Sequence, residues 1–230
     1  MPLVLTVGNP KGGAGKTTVC LLIASCLAQR GASVLVLDTD EQLSAMQWMQ
    51  RNQAVGLTSD KLAVEAIASE AQLVSRLRGK IDQDVVLIDV KGERGQMVQV
   101  AAGHSALVII PTKASHLDLP EVLKFLNILD ATFGHIKPVD ARVVLNEVDG
   151  LDARQKPFKD AVEFIRAHKI PLFNSVLRRR SVFKSFTDGG HGGILSEMAG
   201  NRETIDKACE NVLRFVAEIM LIVEPAEAEA

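Results

Sequence analysis

Short runs of consecutive apolar residues alternate along the chain with longer segments whose apolar residues recur at helical spacing. The apolar runs predict buried β-strands at Leu3–Val7, Ser33–Leu37, Val85–Ile88, Leu107–Ile110 and Ala141–Leu145. The helical spacing predicts helices at Lys16–Arg30, Gln42–Gln53, Glu70–Leu77, Leu117–Leu129, Phe158–His168 and Glu203–Val223. This alternation is typical of an α/β fold, in which a doubly wound, mostly parallel sheet carries helices on both faces.

The size and composition of the chain favour one domain. It has 230 residues, of which 47% are hydrophobic, and it contains no internal repeat or linker. We therefore predict a single domain over residues 1–223, followed by a disordered acidic tail over 224–230 that is rich in proline, alanine and glutamate. Because the net charge is only −2, any contact with nucleic acid must come from a local basic patch.

The cysteines and the apolar C-terminal segment indicate a cytoplasmic protein that binds no membrane. Cys20, Cys26 and Cys209 lack the spacing of a metal site, which suits buried thiols in a reducing cytosol. The stretch 215–223 is interrupted by Glu218 and is too short to span a bilayer.

Residues 9–18 form the most informative motif, Asn-Pro-Lys-Gly-Gly-Ala-Gly-Lys-Thr-Thr, between the first strand and the first helix. A stretch of this kind cradles phosphates with its backbone N–H groups, while Lys16 binds the outer phosphates and the Thr17 hydroxyl binds Mg²⁺. The other loop residues that we expect to contact a nucleotide are Gly12, Gly13, Ala14, Gly15 and Thr18. The alternative is a glycine-rich turn without a ligand.

Acidic side chains follow two of the predicted strands. Asp38 and Asp40 come after the second strand, and Asp89 ends the third. Since the carboxyl ends of the strands face the ligand crevice in an open α/β sheet, these carboxylates are candidates for the Mg²⁺ site, with Asp89 binding the ion directly or through water. The alternative for Asp40 is to cap the following helix.

A second lysine, Lys11, stands at the front of the loop, and Pro10 replaces the glycine of the usual motif. A loop with both Lys11 and Lys16 resembles the deviant Walker A motif of the ParA/MinD superfamily of ATPases. The segment 38–44, Asp-Thr-Asp-Glu-Gln-Leu-Ser, is similar to the ParA segment DxDPQxS, with Glu41 in place of proline. Trp48 and the short segment before the loop are similar to the small ParF-like branch of plasmid partition proteins. VirC-type relatives carry a similar loop.

The resemblance implies a chemistry and a partner. It implies that two subunits sandwich ATP and Mg²⁺, and that Lys11 of each reaches the other's nucleotide. Asp38 would support the metal and Asp40 would position the attacking water. Asn146, after another strand, would contact adenine; the alternative is a turn that uses Asn and Asp for its own hydrogen bonds.

A basic segment follows a strand-like stretch at Leu172–Val176. Its cations are Arg178, Arg179, Arg180 and Lys184. In the resembling family such residues form a nonspecific DNA surface on the ATP-bound dimer, which implies association with the nucleoid and an adaptor that binds a centromere, as ParB or ParG does. The alternatives are a solvated charged face and an arginine that contacts the nucleotide.

Three further interpretations change the cargo or the surface that the ATPase binds. VirC-like transfer of T-DNA and the positioning of a protein compartment would keep the same site. A MinD-like membrane switch requires a basic amphipathic C-terminus. The segment 224–230 is acidic, which argues against that switch.

Overall fold

A computed structural model describes residues 1–57, 59–90, 95–115, 117–150, 155–189 and 193–224. The strands are β1 Leu3–Val7, β2 Val34–Asp38, β3 Leu62–Ala66, β4 Val85–Asp89, β5 Leu107–Thr112 and β6 Ala141–Leu145. The helices are α1 Lys16–Gln29, α2 Ser44–Ala54, α3 Glu70–Arg78, α4 Gln96–His104, α5 Leu119–Phe133, α6 Lys156–Ala167, α7 Ser181–Asp188 and α8 Arg202–Val223. The tail predicted at 224–230 lies outside the described residues except for Glu224.

The six strands form one parallel sheet in the order β3-β2-β4-β1-β5-β6. The chain therefore moves outward from β1 in one direction and then in the other, which is the doubly wound arrangement that we predicted. The carboxyl ends of three central strands are in register, because Asp89 pairs with both Val7 and Asp38. Side chains that leave these strand ends consequently meet at one edge of the sheet.

Apolar side chains cover both faces of the sheet, as the near-continuous apolar strands predict. One core packs α1, α2, α7 and α8 against the sheet, and the other packs α3, α4, α5 and α6 on the opposite face. Trp48 of α2 is fully buried, and its indole N–H donates to the backbone oxygen of Phe186 in α7 at 2.7 Å. This hydrogen bond joins α2 to α7, the helix that contains Lys184 of the basic segment.

Three elements were not predicted from the sequence: β3, α4 and α7. β3 is an edge strand that is only partly buried, so its apolar pattern is weak, and Glu65 within it pairs with Arg76. The predicted strand-like stretch at 172–176 was wrong, since the chain there makes only isolated bridges, Val143 with Leu172 and Val148 with Arg178.

The described helices include none that is long and apolar enough to cross a membrane.

Candidate nucleotide site

The loop between β1 and α1 surrounds an open pocket of about 440 Å³. Gly13 and Gly15 have φ angles of +74° and +86°, in the left-handed region that favours glycine. α1 begins directly after them at Lys16. Loop residues that line the pocket are Gly12, Gly13, Gly15, Lys16, Thr17 and Thr18. The pocket therefore opens on a helix N-terminus, whose free N–H groups favour anions.

Lys16 lies inside this loop. It is 8% exposed, and its ammonium group donates to the backbone oxygen of Lys11 at 3.0 Å. Burial lowers the pKa of Lys16, and the charges of Asp89 and Asp40 partly oppose that shift. The cation thus spans the loop, next to the carboxylates at the strand ends.

Lys11 at the front of the loop is held by residues from other parts of the chain. Its ammonium group forms an ion pair with Asp118, the buried residue that precedes α5. Asn9 accepts the Lys11 backbone N–H at 2.8 Å and donates to the Pro111 oxygen at 2.6 Å. In this structure Lys11 is therefore satisfied within its own chain. The sequence alone assigned no functional role to Asn9 or to Asp118.

Asp38 is fully buried and accepts three backbone N–H groups. One oxygen accepts from Asp40 at 3.1 Å, and the other accepts from Ala45 at 2.9 Å and Met46 at 3.1 Å. The last two belong to the first turn of α2. Burial raises the pKa of Asp38, and these three donors lower it in part. The carboxylate therefore satisfies the N-terminus of α2, a role that we had considered only for Asp40.

Asp40 lines the phosphate pocket together with Glu41, Gln42 and Ser44. One of its oxygens accepts the backbone N–H of Gln42 at 2.9 Å, which closes a local turn. The residue that precedes α2 is Leu43, in a left-handed conformation with φ of +49°. Asp40 is thus held by a turn at the pocket wall rather than by the end of the helix.

Asp89 is 1% exposed, and neither of its carboxyl oxygens makes a well-formed hydrogen bond to any residue that the structure describes. Burial raises its pKa to about 7, while the nearby Thr17 hydroxyl lowers it and the charge of Asp38 raises it. A buried carboxylate without well-formed hydrogen bonds is costly unless a cation joins it. Carboxylate and hydroxyl oxygens suit Mg²⁺, so Asp89 and Thr17 fit a magnesium ion.

The part of the sequence that carries the loop, the lysine and the strand-end acids matches a known family. Residues 5–191 match the CobQ/CobB/MinD/ParA nucleotide binding domain. The chain belongs to the CobQ/CobB/MinD/ParA family.

Known proteins resemble the chain over three quarters of its length or more. Protein ParA of Rhizobium radiobacter is 24% identical over 220 residues, which covers 95% of this chain and 96% of that protein. A carboxysome distribution protein A of Gloeobacter kilaueensis is 31% identical over 183 residues, 77% of each chain. The crystal structure of a plasmid partition protein from Borrelia burgdorferi bound to AMPPNP has a TM-score of 0.71 at 16% identity, covering 95% of this chain and all of that one.

The residues predicted to bind DNA lie at the same edge of the sheet as the ParA/MinD-type loop. Val148, just beyond β6, bridges to Arg178, and Arg179 lies 3.7 Å from the Glu147 carboxylate. Arg178, Arg179 and Lys184 are exposed, whereas Arg180 is half-buried. Burial and then the charge of Arg178 lower the pKa of Arg180. The structure thus brings the basic segment beside the turn that carries Asn146.

The segment after β4 includes Lys91 and Glu93, whose roles the sequence left open. Both lie outside the described residues.

Proposed function

We propose that this protein is a Mg²⁺-dependent ATPase of the ParA type. The observation that carries the proposal is Asp89, a buried carboxylate without well-formed hydrogen bonds among the described residues, beside a glycine-rich loop with a buried lysine. Lys16 and the loop N–H groups would bind the phosphates, and Asp89 and Thr17 would hold Mg²⁺. The ion would neutralise charge on the phosphates during transfer of the terminal phosphoryl group to water.

Asp40 lines the pocket wall and is the residue that we propose to orient the attacking water. Its turn bond to Gln42 uses one oxygen and fixes the side chain. Asp38 would support the site indirectly, because it holds the first turn of α2, whose first residue lines the pocket. These two acids therefore have separate tasks although only one residue lies between them.

Lys11 is the residue that we propose to act on a second subunit. Its side chain is 44% exposed, and an ion pair to Asp118 holds it. When two subunits bind ATP face to face, the partner's phosphates would compete with Asp118 for this ammonium group, because they carry more negative charge. Lys11 would then stabilise charge on the transferred phosphoryl group, as an arginine finger does.

The test combines light-scattering mass measurement with steady-state phosphate release, in ATP and Mg²⁺. The wild type should form dimers and hydrolyse ATP slowly. Lys11→Ala should bind ATP as a monomer and lose most turnover, whereas Lys16→Ala should lose ATP binding itself. The exposed Lys137→Ala serves as a matched lysine control. A normal ATP-dependent dimer with normal turnover in Lys11→Ala would remove the role in trans.

The function that we propose for the ATP dimer is to bind DNA without sequence preference and to carry a plasmid through a centromere-binding adaptor. Exposed Arg178, Arg179 and Lys184 support this, because phosphate contact requires only positive charge. Salt dependence of DNA binding tests it: the logarithm of affinity should fall by about 0.9 per phosphate contacted for each tenfold rise in salt. Arg178→Ala with Arg179→Ala should flatten that slope and spare ATP binding.

Positioning of a protein compartment is the second candidate, because the carboxysome distribution relative is 31% identical over 77% of the chain. The same site and the same DNA surface would serve both cargoes, as they would serve VirC-like DNA transfer. A pull-down with the ATP-locked Asp40→Ala variant separates them: recovery of a small DNA-binding adaptor supports partition, and recovery of a shell protein's adaptor supports positioning.

A further inference from the structure

The side chain of Asn146 contacts the phosphate loop. Asn146 follows β6 and is 7% exposed. Its amide nitrogen donates to the backbone oxygen of Ala14 at 3.0 Å, across 132 residues of sequence. A Cβ atom added to Gly15 would lie 2.3 Å from the same nitrogen. The amide therefore lies directly against the Ala14–Gly15 peptide.

The bonded oxygen belongs to the peptide whose N–H group is that of Gly15. In a trans peptide the C=O and N–H groups point in opposite directions. The structure contains no cis peptide bond among the described residues. A donor that holds the Ala14 oxygen consequently turns the Gly15 N–H away from Asn146. Gly15 lines the loop pocket, so its N–H would be available to a phosphate oxygen bound there.

Asn146 is itself held by contacts on both sides. Its backbone N–H donates to the Thr112 oxygen at the end of β5, at 2.7 Å. The next residue, Glu147, has φ of +56°, an uncommon conformation for a residue with a side chain. Lys113 at 3.0 Å and Arg179 at 3.7 Å flank the Glu147 carboxylate. Strain of this kind persists only where the surroundings enforce it, and it clusters at functional sites.

We propose that Asn146 is a positioning residue that orients the Gly15 N–H of the phosphate loop from the end of β6. This inference rests on the proposed ATPase function and adds a residue to it. It predicts that Asn146 contributes to affinity for the phosphates whatever the base. A residue that reads adenine would instead contribute only when the base is present.

Isothermal titration with two ligands separates these roles. The ligands are ATP and ribose 5-triphosphate, which lacks the base but carries the same phosphates. Loss of one hydrogen bond in Asn146→Ala should weaken both affinities by the same factor, about fivefold. Loss confined to ATP, or no loss for either ligand, would overturn the proposal. Failure of the wild type to bind either triphosphate would refute the ATPase function itself.

A double-mutant cycle between Asn146 and Gly15 adds a test that does not involve the base. Gly15→Ala should be severe in the wild type, because its new Cβ meets the Asn146 nitrogen and because its φ is +86°. In the Asn146→Ala background the first cause is gone, so the same change should cost severalfold less ATP affinity. Additive losses would contradict direct contact between the two residues. Thermal unfolding of each variant without ligand identifies any that fail to fold.

Discussion

Asp38 and Asp89 lie opposite each other on neighbouring strands, both are buried, and their surroundings differ in one respect. Asp38 accepts three backbone N–H groups, two of them from the first turn of α2. Asp89 has no well-formed hydrogen bond from the described part of the chain. Burial raises both pKa values, but only at Asp38 do several N–H donors offset the effect. Two carboxylates that are both inaccessible to solvent therefore have different surroundings: Asp38 bonds to the first turn of α2, and Asp89 has no comparable donors among the described residues.

The largest expected effect is on turnover. Asp89→Asn should lower Mg²⁺-dependent ATP hydrolysis by 100-fold or more, about 2.7 kcal/mol of transition-state stabilisation, because the amide is a poor ligand for Mg²⁺. Steady-state phosphate release measures it. Asp130→Asn, on the outer part of α5, is the matched control and should retain wild-type turnover. Wild-type turnover in Asp89→Asn would contradict the proposal that Asp89 binds Mg²⁺.

The stability of the protein without ligand should change in opposite directions at the two sites. Asp89→Asn removes a buried charge whose folded pKa is about 7, so it should raise the free energy of unfolding at pH 8 by up to a few kcal/mol. Asp38→Asn weakens the anchor of α2 and should lower it by about 1–3 kcal/mol. Urea unfolding checks both. Changes of the same sign would mean that the two carboxylates have equivalent surroundings.

The pH dependence of the wild type follows from Asp89. Because its folded pKa of about 7 exceeds the ordinary value near 4, the folded protein binds the proton more tightly. Its stability should therefore fall as pH rises from about 4 to 7 and then level off.

Protons should also compete with Mg²⁺ for the Asp89 carboxylate. From pH 8 to pH 6 the Mg²⁺-dependent ATP affinity of the wild type should weaken about tenfold. Asp89→Asn is the control, because any change of affinity with pH in that variant comes from the titration of ATP itself and should be smaller. If the ATP affinity of Asp89→Asn changes with pH as much as that of the wild type, the change belongs to the nucleotide and not to Asp89.

The smallest expected effect concerns the contact of α2 with α7. Trp48→Phe removes the indole N–H bond to Phe186 and leaves an aromatic ring, so we expect a loss of about 1 kcal/mol, or roughly 2–4 °C in melting temperature. ATP affinity should stay within twofold of the wild type. Leu221→Ala, at an exposed position of α8, is the control and should change neither quantity. A large loss of ATP affinity would mean that the contact between α2 and α7 affects nucleotide binding, which the hydrogen bonds of Asp38 and Trp48 do not indicate.

Sequence periodicity was sufficient for the fold because the central strands are apolar on both faces. The bounds of β1 and β6 were predicted as observed, and β2, β4 and β5 within two residues. β3 was missed because an edge strand has fewer buried positions. α7 was missed because its eight residues carry no capping side chain. The strand-like stretch at 172–176 has the composition of a strand, but its pairing with β6 is interrupted.

The motif identified which residues surround the site, but it contained no information about which group bonds to which. The loop residues and the three strand-end acids were all predicted, because spacing after a strand determines where they lie. Asp38 rather than Asp40 bonds to the N-terminus of α2, and the motif does not specify that contact. The ion pair of Lys11 with Asp118 joins residues 107 positions apart, a distance at which local patterns carry no signal.

The most direct test of the contrast between the two carboxylates is one calorimetric series. ATP is titrated into the wild type, Asp38→Asn and Asp89→Asn, each with Mg²⁺ and with EDTA. The account predicts that Mg²⁺ tightens ATP binding in the wild type and in folded Asp38→Asn, and that it has no effect in Asp89→Asn. If Mg²⁺ tightens binding in Asp89→Asn as strongly as in the wild type, Asp89 is not the cation site and the account is wrong.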